Sequence, residues 1–151
     1  MSPVLSSILV GTDGSKSAAV ALNQATQLAE SLGAALHIVS VYEPVSDSAP
    51  RSQRLAPPTE VQWTLNARQD VLALLSAAQA EARAAGVTEV ETYARVGSAA
   101  DAILDVAEEQ GSDLIVVGNK GMTGATRFLL GSVPNKVSHH APCSVLIVRT
   151  G

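Results

Sequence analysis

Short apolar runs alternate with longer helix-patterned segments along the whole chain, and this alternation limits the fold more than any other feature. The runs are Ser7-Ile8-Leu9-Val10, Ala35 to Val41, Val90 to Val96, Leu114 to Val117 and Ser144 to Val148. A strand–helix alternation of this kind predicts a parallel sheet flanked by helices. The run from Ala35 to Val41, broken only by His37 and Ser40, is too continuously apolar for a half-exposed strand and fits one covered on both faces.

The intervening segments carry helical periods and stop signals. The first spans about Ser15 to Leu32, with Ala19, Leu22, Ala25, Ala29 and Leu32 on one face and Gly33 closing it. A long helix is expected from about Thr59 to Ala85, its stripe formed by Val61, Leu65, Val71, Leu72, Leu75 and Ala78, with Gly86 ending it. Ser98 and Asp101 have capping-box spacing at the start of a third helix that ends by Gly111, and a fourth runs from about Ser132 to His140. The segment from Glu43 to Pro58 holds four prolines and a scatter of serines, which reads as a mobile loop that is either functional or disordered. No internal repeat or linker divides the chain, so the expectation is one open, five-stranded α/β domain over residues 1–151. Helices cover both faces, and the strand order is 3-2-1-4-5. In such sheets ligands bind beyond the carboxyl ends of the strands, where the order reverses. With the first strand central, the loops carrying Asp13 and Gly118 face each other there.

Composition excludes several classes. Of 151 residues 46% are hydrophobic and 16% charged, which rules out a disordered chain. A net charge of −4 argues against nucleic acid, which calls for a basic face. No apolar run approaches the roughly 18 residues of a membrane span, and no basic segment precedes an apolar stretch as in a signal peptide; cytoplasm is expected. The lone Cys143 cannot form an internal disulfide and reads as a small core residue. One cysteine with His37, His139 and His140 does not make a zinc site, so no protein-held metal is expected. His37 reads as a hydrogen-bonded core or rim residue.

The chemistry concentrates in VVGNKGMTGATRFLLGSV, Val116 to Val133. Glycines bring the backbone close to a bulky anion, and the helix opening near Ser132 adds free N–H groups and a positive dipole end. Gly118, Gly121, Gly131 and Ser132 thus read as a phosphate cradle, with Lys120 and Arg127 as nearby cations. It is not a Walker motif, since no Gly-Lys-Ser/Thr precedes the helix. Nor is it a dinucleotide fingerprint, because the first strand is followed by Gly11-Thr12-Asp13-Gly14-Ser15. Asp13, at the end of that strand, either accepts hydrogen bonds from a nucleoside or caps the first helix, a task Ser15 could also perform.

The spacing G-x2-G-x9-G-S, the opening ILVGTDGS and the closing HHAPCSVLIVR resemble a universal stress protein of the ATP-binding, glycine-motif subgroup over essentially the whole chain. The resemblance implies a Rossmann-like sheet of the adenine-nucleotide α-hydrolase type. It implies that Gly11, Thr12 and Asp13 border adenine and ribose, and that Val41 offers its backbone to the adenine edge. Gly118, Gly121, Gly131 and Ser132 would cradle the phosphates, with Asn119, Lys120 and Val133 beside them; Asn119 and Lys120 occupy positions that vary in the family. Mg2+ or Mn2+ would be held mainly by the nucleotide and water. A homodimer would form through the last strand, Val145, Leu146, Ile147 and Val148. The implied function is regulatory ATP binding in a bacterial stress response, without catalytic residues. Binding of AMP or cyclic AMP, slow ATP hydrolysis and a vestigial site in an interaction protein are the alternatives.

Overall fold

The computed structural model describes residues 5–42, 58–119 and 132–150, and of 58–67 the backbone alone. In chain order the elements are β1 (Ser7–Gly11), α1 (Lys16–Leu32), β2 (Ala35–Tyr42), α2 (Pro58–Ala84), β3 (Val90–Val96), α3 (Ala99–Gln110), β4 (Leu114–Gly118), α4 (Ser132–His140) and β5 (Ser144–Val148). All the strands pair in parallel in one sheet ordered β3-β2-β1-β4-β5, the expected order. The proline-rich segment from Glu43 lies outside the described residues up to 57. The long helix starts at Pro58, where a preset φ and a missing N–H cost nothing in the first turn.

Side chains of a strand alternate between faces, and the core divides accordingly. Ile8, Val10, Leu36, Ile38, Val90, Leu114 and Val116 meet α1 and α2 through Ala21, Ala25, Ala29, Leu75, Ala78 and Ala82. Leu9, Val39, Ile115 and Val117 meet α3 and α4 through Ala100, Ile103, Val106, Ala107 and Val137. Ile8, Leu9, Ile38 and Ile115 have no exposed surface, each stabilising the fold by about 1.5–3 kcal/mol.

Two helix faces differ from their expected phase. On α1 the buried set is Ala18, Ala21, Ala25, Thr26 and Ala29, whereas Ala19 is exposed and Leu32 is 42% exposed. The alanines let the helix approach the sheet closely, and Leu22 and Leu28 pack at the flanks. On α2 the stripe is Val71, Leu75, Ala78 and Ala82, while Leu72 is 44% exposed. The ends follow the sequence signals. Ser15 and Ser98 cap α1 and α3, their hydroxyls accepting from Ala18 N and Asp101 N; Gly33 and Gly111 close the same helices in the left-handed conformation.

Candidate functional site

The strand order reverses between β1 and β4, so the crevice opens at their carboxyl ends. There the chain after β1 forms a turn built from its own side chains. Thr12 is buried and its N–H donates to Val39 O at 3.0 Å. Thr12 Oγ1 accepts from Gly14 N at 3.2 Å, and Asp13 Oδ1 accepts from Ser15 N at 2.9 Å. Gly14 has φ +83°, a conformation L side chains rarely adopt, so the turn requires glycine. Of the two roles open to Asp13, the helix cap falls to Ser15. Asp13 braces the turn with one oxygen and is itself exposed at the crevice mouth.

Asp13 and Val41 line one cavity of about 280 Å³ together with Gly14 and Ser40. Its far wall is α2, through Asp70, Val71 and Leu74. Val41 contributes in a specific way. Its side chain packs with the α3 and α4 cluster, on the face opposite α2. What it presents to the cavity is therefore main chain. β1 ends at Gly11, opposite Val39, and Val39 O already bonds across to Thr12 N. Two residues on, the N–H and C=O of Val41 point the same way, past the last residue of β1. A donor and an acceptor thus lie side by side along the cavity edge.

Gly118 closes the other side of the crevice. A Cβ there would lie 3.1 Å from Thr150 Cγ2 and 3.7 Å from Ser17 O in the first turn of α1. The loops after β1 and β4 are neighbours, as the strand order requires. Asn119 turns its carboxamide oxygen to Thr150, accepting from both Thr150 N and Thr150 Oγ1 at 2.9 Å. Ser132 is exposed at the start of α4, and Val133 packs its side chain into the α3 cluster, leaving its backbone for any ligand. Pro134 removes one N–H from that first turn. Lys136 Nζ, 2.7 Å from Asp101 Oδ1, ties α4 to the start of α3. Lys120, Gly121, Arg127 and Gly131 lie outside the described residues.

The two ends of the crevice differ in charge. Asp13 and Asp70 make the cavity end an acceptor surface. The first turns of α1 and α4 hold no acidic residue, whereas that of α3 carries Asp101. Helix N-termini favour negative charge, and these two leave that place open to a ligand. Among the described residues no three His, Cys, Asp or Glu side chains assemble as a metal site, and no helix is long and apolar enough to cross a membrane.

Sequence reasoning missed Ser40, Asp70, Val71 and Leu74. Ser40 carried a signal as a polar break in an apolar strand; the α2 residues carried none. Other expectations resolve outside the crevice. Cys143 is free and half-buried, and burial pushes its thiol pKa up. His37 is 8% exposed and sits edge-on to Tyr93 at 5.7 Å. Its Nδ1 is buried without a hydrogen-bond partner among the described residues.

An open parallel sheet whose strand order reverses at a crevice defines an open, Rossmann-like α/β protein. The chain belongs to the universal stress protein family, whose family model matches residues 5–149. It is 37% identical over 143 residues to a universal stress protein of Mycobacterium tuberculosis, covering 95% of both chains. The universal stress protein UspA from Lactobacillus plantarum superposes with a TM-score of 0.82 at 25% identity, over 96% of this chain and 98% of that one. A universal stress protein crystallised in complex with cAMP matches with a TM-score of 0.74 at 33% identity, over 98% and 99% of the two chains.

Proposed function

We propose that this chain is a regulatory protein that binds an adenine nucleotide, ATP foremost, and acts through its occupancy. The observation that carries this is the Val41 main-chain edge beside Asp13, in a cavity at the sheet's switch point. Adenine presents an amine donor and a ring-nitrogen acceptor side by side, which suits one peptide's C=O and N–H. Asp13 suits a ribose hydroxyl. The cavity of about 280 Å³ fits a base and leaves the phosphates to extend towards Gly118 and the α4 terminus. Gly121, Gly131 and Ser132 would supply further donors. A divalent cation would be held by the phosphates and water. ATP brings a polyphosphate, whose negative charge the helix N-termini favour.

Cyclic AMP is the second reading, favoured by the cAMP complex of a protein 33% identical to this one. Its single cyclic phosphate would leave most of the Gly118–Ser132 segment without a contact. Assembly as a homodimer through β5 fits the same account. That strand is paired on one side by β4, and Ile147 is 39% exposed on it, an apolar edge that invites a partner strand.

Calorimetric titration with Mg-ATP, AMP and cyclic AMP tests the proposal. ATP at 100 times its Kd should raise stability by about 2.7 kcal/mol, a Tm rise of about 5–10 °C for a chain of this size. Tighter binding of cyclic AMP than of ATP selects the second reading. No binding of any of the three overturns both.

A further inference from the structure

Gly118 and Asn119 pass the chain from β4 into the segment that carries Gly121, Gly131 and Ser132, and both are held by Thr150, two residues beyond β5. Asn119 N donates to Val148 O at 2.9 Å, carrying the β4–β5 ladder one residue past its last register pair, Gly118 and Val148. The side chain then makes the second attachment. Asn119 Oδ1 accepts from Thr150 N and from Thr150 Oγ1, each at 2.9 Å. A peptide N–H can only donate, so the amide atom facing Thr150 is oxygen and the NH2 group occupies the opposite edge. The methyl of the same threonine fills the space over Gly118, 3.1 Å from where a Cβ would stand. Asn119 and Thr150 are both half-buried, which limits competition from water.

We propose that Asn119 is a positioning residue latched to Thr150, and that this latch couples nucleotide occupancy to the end of β5. The inference rests on the nucleotide reading above. The carboxamide oxygen is committed to two donors, so Asn119 acts by setting the direction in which the glycine segment leaves β4. Coupling of this kind is reciprocal: the factor by which the latch tightens nucleotide binding is the factor by which nucleotide tightens the latch. Because β5 is an edge strand, a ligand-dependent change at Thr150 reaches the edge on which a second copy would dock.

The test uses the full chain with Thr150→Val, which removes the hydroxyl donor while keeping the branched shape over Gly118, and Thr150→Ser, which keeps the hydroxyl. Affinity for Mg-ATP and for cyclic AMP is measured by calorimetry, and amide hydrogen exchange at Thr150 is followed with and without nucleotide. Thr150→Val should bind the wild type's preferred nucleotide about three- to tenfold more weakly, the effect of one lost hydrogen bond. Thr150→Ser should bind as the wild type does. Nucleotide should slow exchange at Thr150 in the wild type and do so less in Thr150→Val. A Thr150→Val protein of lowered Tm but wild-type affinity, or exchange at Thr150 indifferent to nucleotide, overturns the coupling alone. A wild type that binds neither Mg-ATP nor cyclic AMP nor AMP overturns the nucleotide reading and the coupling with it.

Discussion

Asp13 has two tasks in this account, and two substitutions separate them. Its Oδ1 accepts from Ser15 N at 2.9 Å and so braces the turn that delivers Ser15 to the cap of α1. The carboxylate also lines the cavity beside Val41, where it would meet the nucleoside. Asp13→Asn keeps an oxygen for Ser15 and removes the charge; Asp13→Ala removes both. An exposed hydrogen bond of this type contributes about 1 kcal/mol, so Asp13→Ala should lower Tm by about 2–4 °C. Asp13→Asn should leave Tm within about 1 °C of the wild type on the same reasoning. Binding should respond differently. A hydrogen bond to a charged acceptor is worth about 1.5–3 kcal/mol, so both variants should bind Mg-ATP at least about tenfold more weakly. Thermal unfolding without ligand reads the first effect and calorimetry the second. Wild-type affinity in both variants would refute the ligand contact. An equal fall in Tm for both would refute the separation of the turn's oxygen from the site's charge.

Two further predictions concern groups that hold the sheet. Asp113 Oδ2 accepts from Ser6 N, Ser6 Oγ and Ser7 N at 2.8–3.1 Å, and the Ser6 hydroxyl, followed by the backbone N–H groups, holds its carboxyl below the usual range. A lowered carboxyl pKa stabilises the fold above the ordinary Asp value of about 3.9 and ceases to do so as pH falls through the folded value. Asp113→Ala should therefore cost about 1–2 kcal/mol near neutrality, discounted for its exposure, and the difference from wild type in Tm should shrink below about pH 4. For His37, burial lowers the pKa, with Glu91 and Glu89 opposing it. Below about pH 6.5 the unfolded chain takes up a proton that the folded chain refuses, so stability falls as pH drops through 6.5 towards the folded value. His37→Phe, which keeps an aromatic ring against Tyr93, should lose less Tm than the wild type between pH 7.5 and 5.5; equal losses would refute the assignment.

Much of the fold was legible because its signals are local. The apolar run at Ala35–Tyr42, the serine caps at Ser15 and Ser98 and the left-handed glycines at 33 and 111 each follow from residues within a few positions. The phase of α1 was not, since Ala18 and Ala19 are equally apolar and only the approach of the helix to the sheet decides which is buried. The site divides in the same way. Asp13 and Gly118 could be placed together from strand order alone. The wall formed by Asp70, Val71 and Leu74 depends on how α2 rotates over β2 and β3, which its own sequence does not state. Asn119 was legible as part of the segment but its hydrogen bonds to Thr150 were not, because that partner lies 31 residues away.

The central claim is that an adenine base sits against the Val41 main chain beside Asp13. NMR titration of the isotopically labelled chain with Mg-ATP and cyclic AMP tests it directly. The account predicts the largest amide shifts at Asp13, Gly14 and Val41 for the tighter ligand, with intermolecular contacts from the adenine protons to Val41 or Leu74. Shifts confined to other surfaces, with these amides unmoved at saturation, would contradict it.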